Sequence, residues 1–275
     1  GNTGIGLALV AAIKGYKLIL VIPDKMSREK ILHLEGLGAE VKITRSDVPK
    51  GHPEYYQDVA RKMASKIKGS FFADQFSNPA NPLAHKTSTA PEIWEQMDGK
   101  LDALVAGVGS GGTVTGLAEF FKEKNQDIQM IVADPEGSIV ADAVTKGNYK
   151  YEGGSWLVEG IGEDFLPGNV HFDVIDDFVV VEDEESFQMT RRLVLEEGVY
   201  AGGSCGAAVL GALKYAKTLK EPKKILLVLH DGGSKYASKI YNNEWMKEKG
   251  YQVDMSQDAT DKAILEIIKE NGKLA

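Results

Sequence analysis

The densest run of residues able to do chemistry is Gly107-Val108-Gly109-Ser110-Gly111-Gly112-Thr113-Val114-Thr115-Gly116. Its glycines permit sharp turns and close approach to backbone N–H groups. If a helix starts here, those N–H groups and the aligned peptide dipoles form an anion site. Ser110 and Thr113 can add hydroxyl donors. The chemistry implied is a phosphate cradle, and a glycine-rich turn without a ligand is the competing reading. The Gly-Lys-Ser/Thr ending of a nucleoside triphosphate loop is missing. Gly107, Gly109 and Gly112 do spell G-x-G-x-x-G, and Asp134 ends the next apolar run 22 residues past Gly112. That layout fits a dinucleotide fingerprint with its ribose-binding acid. On these residues alone, nucleotide and other phosphorylated cofactors stay open.

The elements that must position this run follow from pattern. Leu101 to Ala106 reads as a buried strand, and Leu117 to Lys124 has helical spacing, giving strand, glycine loop, helix. Upstream, a helix at 5–14, which Asn2 and Thr3 could cap, precedes a strand at 17–22. Then come a helix from Ser27 to about Leu37, a strand at 41–44 and a helix at 54–67. This α-β-α-β-α rhythm belongs to a parallel α/β sheet. A short strand is predicted at 69–75, then an Asn- and Pro-rich turn at 74–82. A helix at 83–97 follows, which Pro91 would kink or break. Strands at 128–133, 178–181 and 223–229 alternate with helices at 183–197 and 204–216 and a last helix through Tyr236, Ile240 and Trp245. Residues 145–177 are irregular, and so long a loop is usually functional. Residues 254–262 read as a linker, and 263–270 could open a further helix.

The 275 residues allow one large domain or two smaller ones. A net charge of −8 argues against nucleic acid as a partner. No stretch has the length of a membrane span. The single cysteine, Cys205, excludes an internal disulfide and suits a reducing compartment, so a cytoplasmic protein is expected. Cys205 itself is expected to be a packed thiol. The histidines at 33, 52, 85, 171 and 230 lack metal-ligand spacing, so no metal is expected. The chain opens on Gly1-Asn2-Thr3-Gly4 without a signal peptide or initiator methionine, so the natural protein is expected to begin earlier.

Five separated segments resemble one family. They are the glycine loop, Gly1-Asn2-Thr3-Gly4, Asp74-Gln75-Phe76-Ser77-Asn78-Pro79, Glu159-Gly160-Ile161-Gly162 and Ala201-Gly202-Gly203-Ser204. Together, over residues 1 to about 252, they resemble the cysteine synthase and cystathionine β-synthase family. Asp134-Pro135-Glu136-Gly137-Ser138 and Asn242-Asn243-Glu244-Trp245-Met246 look closer to its cystathionine-forming branch. The resemblance implies a tryptophan-synthase β-like (fold type II) α/β protein of two domains, each with a mostly parallel sheet flanked by helices. Residues 1–81 would be part of a smaller, mobile, substrate-closing domain and 82–253 the cofactor domain. Residues 254–275 would be a linker or the start of a further C-terminal region.

The same resemblance implies pyridoxal 5'-phosphate as cofactor and β-replacement on serine by homocysteine, giving cystathionine. Cysteine synthase, acting on O-acetylserine, and sulfide-producing β-replacement are alternatives. An NAD-dependent dehydrogenase and a non-catalytic fragment are alternatives of other classes. Position by position, Gly109, Ser110, Gly111, Gly112 and Thr113 would hold the cofactor phosphate and Asn2 its phenolic oxygen. Thr3 and Gln75 would bind the substrate carboxylate, with Gly160, Ile161 and Gly162 beside cofactor and substrate. The partners implied are small amino acids and a second copy in a homodimer.

Three departures stand out. The family's Schiff-base lysine falls upstream of Gly1, so no lysine here is assigned. Gly232 occupies the strand-end position whose Ser or Thr contacts the pyridine nitrogen, leaving Asp231 or Ser234 to compensate. Glu163 stands where animal cystathionine synthases tend to have Tyr.

Overall fold

A computed structural model describes residues 1–145 and 154–253. The expected linker and further helix at 254–275 lie outside the described residues. The elements are α1 (Asn2–Lys14), β1 (Ile19–Pro23), α2 (Arg28–Gly36), β2 (Glu40–Thr44), α3 (Tyr56–Lys66) and α4 (Ala80–Ala84). A π-helical turn (His85–Thr89) joins α4 to α5 (Ala90–Gln96). Then follow β3 (Ala103–Gly107), α6 (Gly112–Lys124), β4 (Gln129–Pro135), α7 (Val140–Thr145) and β5 (Asp177–Val181). The chain continues with α8 (Asp183–Glu197), α9 (Gly203–Ala216), β6 (Ile225–Leu227) and α10 (Asn243–Glu248).

The strands form two parallel sheets. β1 and β2 pair with Ile19 opposite Glu40. The other sheet runs β5-β4-β3-β6, with Ala103 opposite both Gln129 and Ile225. Its centre is apolar because both faces are covered. Period-two alternation sends Leu104, Ala106 and Val132 to the face packed by Val114, Leu117 and Phe121 of α6. Val105, Ile131 and Ala133 face Ala207 and Leu210 of α9. The small residues of α9 allow that helix to sit close: a Cβ at Gly211 would stand 2.7 Å from Ala133 Cβ. A third cluster, Ile5, Ala8, Ile22, Leu34 and Ala39, joins α1 and α2 to the small sheet.

Several expectations change. Residues 69–75 form no strand. Asp74 adopts φ 42°, its carbonyl accepts from Ser77 and Asn78 N–H, and the Asn78 side chain donates to the Ala73 carbonyl. Those backbone groups are committed to a turn and unavailable to a ladder. The expected helix at 83–97 starts at Ala80 and passes through the π-turn, in which the Ala90 N–H reaches back to the His85 carbonyl. Pro91 explains this: it lacks an N–H, and its ring crowds the carbonyl four residues back. The last helix is interrupted. A 3₁₀ turn at Gly233–Tyr236 precedes α10, whose N-terminus is capped by the Asn242 side chain. Helix α1 begins at Asn2 with Gly1 as N-cap, so neither Asn2 nor Thr3 caps it. Asp183 begins α8, as expected, and its carboxylate accepts from Leu157 N (2.6 Å) and Val158 N (2.9 Å). Strand β6 is three residues long, shorter than expected.

Candidate active site

In an open parallel sheet the ligand crevice lies beyond the carboxyl ends of strands where the winding reverses. Here β3 leads outward to β4 and β5, while β6 lies on β3's other side. The reversal is therefore at β3 and β6. The glycine loop leaves the end of β3, and His230-Asp231-Gly232 leaves the end of β6.

The loop enters α6 through Gly111, at φ 85°, and no side chain caps the helix. The opening N–H groups of α6 have no intrahelical acceptor, which suits an anion. The glycines serve close packing against protein. A Cβ at Gly107 would meet Ile161 Cγ2 at 2.4 Å, and one at Gly109 the Gly160 carbonyl at 2.4 Å. One at Gly111 would overlap Val170, and one at Gly112 would overlap Asn81 Oδ1. Gly162 N–H donates to the Val108 carbonyl (2.8 Å). Two segments named from sequence, 107–113 and 160–162, are thus laid directly on one another.

A polar scaffold supports the loop. Asn81 Nδ2 donates to Ser110 Oγ (2.9 Å) and to the Gln75 carbonyl (2.8 Å). Asn169 Nδ2 donates to the same carbonyl (2.8 Å). Thr113 Oγ1 pairs with His85 Nε2 (3.2 Å), and His85 Nδ1 with Thr89 Oγ1 (3.1 Å). The π-turn thus aims His85 at the cradle, and burial lowers its pKa. The role of Asn81 and His85 was missed in the sequence, where they read as turn and helix residues.

Asn2, in the first turn of α1, donates to Asp231 Oδ2 (2.9 Å) and accepts from Lys235 Nζ (2.9 Å). Tyr236 OH also donates to Asp231 Oδ2 (2.8 Å). Among the described residues, Asp231 Oδ1 and both ring nitrogens of His230 are buried without a partner, and burial lowers the His230 pKa. Thr3 is exposed beside Asn2. Gly232 forms an antiparallel bridge with Ala201, and a Cβ there would meet nothing nearer than Tyr200 O at 4.0 Å. The missing side chain is therefore not a steric requirement. Cys205 is fully buried, its thiol held on the Asp231 carbonyl (3.4 Å) and its pKa raised by burial, as a packed thiol should be.

A buried ion-pair network, invisible in the sequence, borders the 160–162 loop. Lys30 of α2 donates to Glu159 Oε2 (2.7 Å) and Tyr236 OH (2.9 Å). Lys239 donates to Glu159 Oε1 (2.6 Å). Despite its burial, Glu159 stays below the ordinary carboxylate range because both lysines face it. The network ties the small-sheet unit to the loop and to the segment after β6.

Asp134, the expected ribose-binding acid, is 1% exposed, and its Oδ2 accepts from Ala141 N (2.9 Å) at the second residue of α7. No surface of it faces the crevice for a ribose. Glu163 follows Gly162 directly. Burial first, then the charge of Asp164, raises its carboxyl pKa to about 8.

The cradle's open N–H groups, its hydroxyls and the orphaned His230 and Asp231 atoms fit a small phosphorylated cofactor. A family model described as pyridoxal-phosphate dependent enzyme matches residues 1–231. Cystathionine beta-synthase of Apis mellifera is 44% identical over 262 residues, 95% of this chain and 51% of that protein. The Mus musculus protein of that name is 44% identical over 251 residues, 91% of this chain and 44% of its own. The Saccharomyces cerevisiae one is 40% identical over 256 residues, 90% and 50%. The chain spans about half the length of the curated relatives it matches.

Proposed function

Because the chain belongs to the pyridoxal-phosphate-dependent enzyme family, we propose that it forms the core of a lyase that condenses L-serine with L-homocysteine to L-cystathionine. The observation that carries this reading is the 44% identity to cystathionine beta-synthases across 91–95% of the chain. The packing of 160–162 against the cradle supports it.

In this reading Gly109, Ser110, Gly111, Gly112 and Thr113 hold the phosphate, with Asn81 and His85 orienting the two hydroxyls. Asn2 and the Gly232 segment border the ring. Thr3 and Gln75 receive the substrate carboxylate, and Gly160, Ile161 and Gly162 fix its position. When bound, pyridoxal phosphate draws electrons from an amino acid's Cα so that its proton and the Cβ substituent can depart. The residues of this chain bind, orient and exclude water. No lysine of this chain is assigned the covalent role. Residues 1–81 would close over substrate and 82–253 would carry the cofactor. The reading includes a cytoplasmic homodimer acting on small molecules, without nucleic acid or membrane partners. The charge of −8 supports the exclusion of nucleic acid, and among the described residues no helix is long and apolar enough to cross a membrane.

The test is the visible absorption of the full-length protein loaded with pyridoxal phosphate. Serine should shift the band, homocysteine should reverse the shift, and mass spectrometry should find cystathionine. A shift with O-acetylserine but not serine would move the assignment to cysteine synthase. No shift with either would remove β-replacement.

A further inference from the structure

Asn2 meets a charge on each side of its amide. Its Nδ2 donates to Asp231 Oδ2 (2.9 Å), and its Oδ1 accepts from Lys235 Nζ (2.9 Å). Lys235 Nζ lies 3.7 Å from Asp231 Oδ2, so the two charges also pair with each other. This fixes which way the amide points. Turned over, its oxygen would face the carboxylate and its nitrogen the ammonium, and neither contact could be a hydrogen bond. The carboxylate takes one of the two hydrogens on Nδ2. Among the described residues the other has no acceptor.

Asp231 is itself held in place. Its side chain is 1% exposed, and Tyr236 OH donates to the same Oδ2 (2.8 Å). Its carbonyl accepts from Gly202 N–H (3.0 Å). A Cβ on Gly202 would overlap Asp231 Oδ1 and come within 2.6 Å of the Tyr236 ring, so glycine leaves the room this carboxylate needs. The acid therefore lies between Asn2, the first residue of α1, and Gly202, the N-cap of α9. Both helix starts favour a negative charge there. Beyond Tyr236 the bonds run to Lys30 (2.9 Å) and on to Glu159 (2.7 Å), one residue before Gly160. Asn2, which is exposed, is the open end of this buried relay.

We infer that Asp231 and Lys235 are positioning residues for Asn2. They keep its amide from turning over, so that its second N–H is the group offered to the cofactor's phenolic oxygen. This rests on the proposed role of Asn2 in binding pyridoxal phosphate. A hydrogen bond to an ionised oxygen favours the ionised form. An amide free to turn would present its own oxygen part of the time, and two acceptors repel. In this arrangement Asp231 does not stand in for the side chain missing at Gly232; it works through Asn2.

The experiment is a double-mutant cycle in the full-length protein. Cofactor-free protein is titrated with pyridoxal phosphate, and both the dissociation constant and the visible absorption of the bound cofactor are read. The absorption separates the ionised from the neutral phenolic form and needs no turnover. The variants are Asn2→Ala, Asp231→Asn, Lys235→Met, and Asn2→Ala combined with Asp231→Asn. The neutral fraction should rise in every single variant, most in Asn2→Ala. Binding should weaken about 10- to 100-fold in Asn2→Ala, the scale of a hydrogen bond to a charged group. It should weaken about 3- to 10-fold in Asp231→Asn and in Lys235→Met, the scale of an ordinary hydrogen bond. On the Asn2→Ala background, Asp231→Asn should change binding by no more than about twofold. An equal effect of Asp231→Asn on both backgrounds would show that it acts on the cofactor directly or through the fold alone, and would overturn the inference. Lys235 is 24% exposed, so its variant tests the idea without disturbing a buried acid. A wild-type spectrum in Lys235→Met would likewise overturn it. A wild-type spectrum in Asn2→Ala would remove the role of Asn2 and the inference with it. A wild-type protein that binds no pyridoxal phosphate would instead overturn the cofactor reading itself.

Discussion

Asp134 shows how a single carboxyl can look like a ligand-binding group and act as structure. It sits where a strand ends, the position from which an acid would reach a ribose. The chain instead turns back into α7 and uses the carboxylate to receive that helix's Ala141 N–H. Burial is the largest influence on it and raises its pKa from 3.8 to about 6, against the Ala141 and Ser138 hydrogen bonds. An acid whose folded pKa exceeds its unfolded one binds more protons when folded. Its contribution is therefore greatest below about pH 4 and declines as pH rises through 6. Two pK units correspond to about 3 kcal/mol. Asp134→Asn keeps an acceptor for Ala141 and removes the charge. Its stability relative to wild type should rise by about 2–3 kcal/mol between pH 4 and 7, measured by urea unfolding at both. A constant difference would mean that Asp134 does not titrate in this window.

At the scale of elements, glycine content has two opposite meanings. Gly6 lies inside α1 with nothing within 4 Å of its absent Cβ. Gly116 lies inside α6, where a Cβ would stand 2.3 Å from the Pro82 carbonyl and 2.9 Å from Lys86 N. Gly6→Ala should stabilise by about 0.5–1 kcal/mol through the unfolded chain. Gly116→Ala should destabilise by about 1–3 kcal/mol, because α6 would be pushed off α4 and the π-turn, outweighing the better helix former. Thermal unfolding of the two variants tests the pair, and equal shifts would contradict the packing. The same contrast shows what was legible in the sequence. β3 was readable because burial on both faces leaves an unbroken apolar run, and the glycine loop because few other needs gather five glycines. The false strand at 69–75 was not, because Asn78 takes its backbone from five residues away. The π-turn was half legible: Pro91 announced a disturbance but not its form. Asn81, His85 and Lys30 read as ordinary turn and helix residues because their partners are distant in sequence.

At the scale of the molecule, the Lys30–Glu159–Lys239 network is a buried part of what fastens the small-sheet unit to the rest, beside the Asn2–Asp231 and Ser238–Glu29 hydrogen bonds. Lys30 has 2% of its side chain exposed and sits 4.4 Å above the Tyr236 ring. Lys30→Met would leave Glu159 buried with one counter-charge. Removing one member of a buried pair typically costs about 3–5 kcal/mol, and the retained Lys239 places the expected loss near the lower figure. Urea unfolding followed by tryptophan fluorescence checks it, and a loss no larger than that of a surface pair would show that solvent reaches the network.

That fastening also sets a clock. Lys30 leaves the ribosome 129 residues before Glu159 and 206 before Tyr236. At about 5–20 residues per second, the first interval alone lasts on the order of 10 seconds. Throughout it, a helix whose inner face must bury an ammonium group has no anion to meet it. The small-sheet unit therefore completes this ion pair only after a glutamate 129 residues further along has been made.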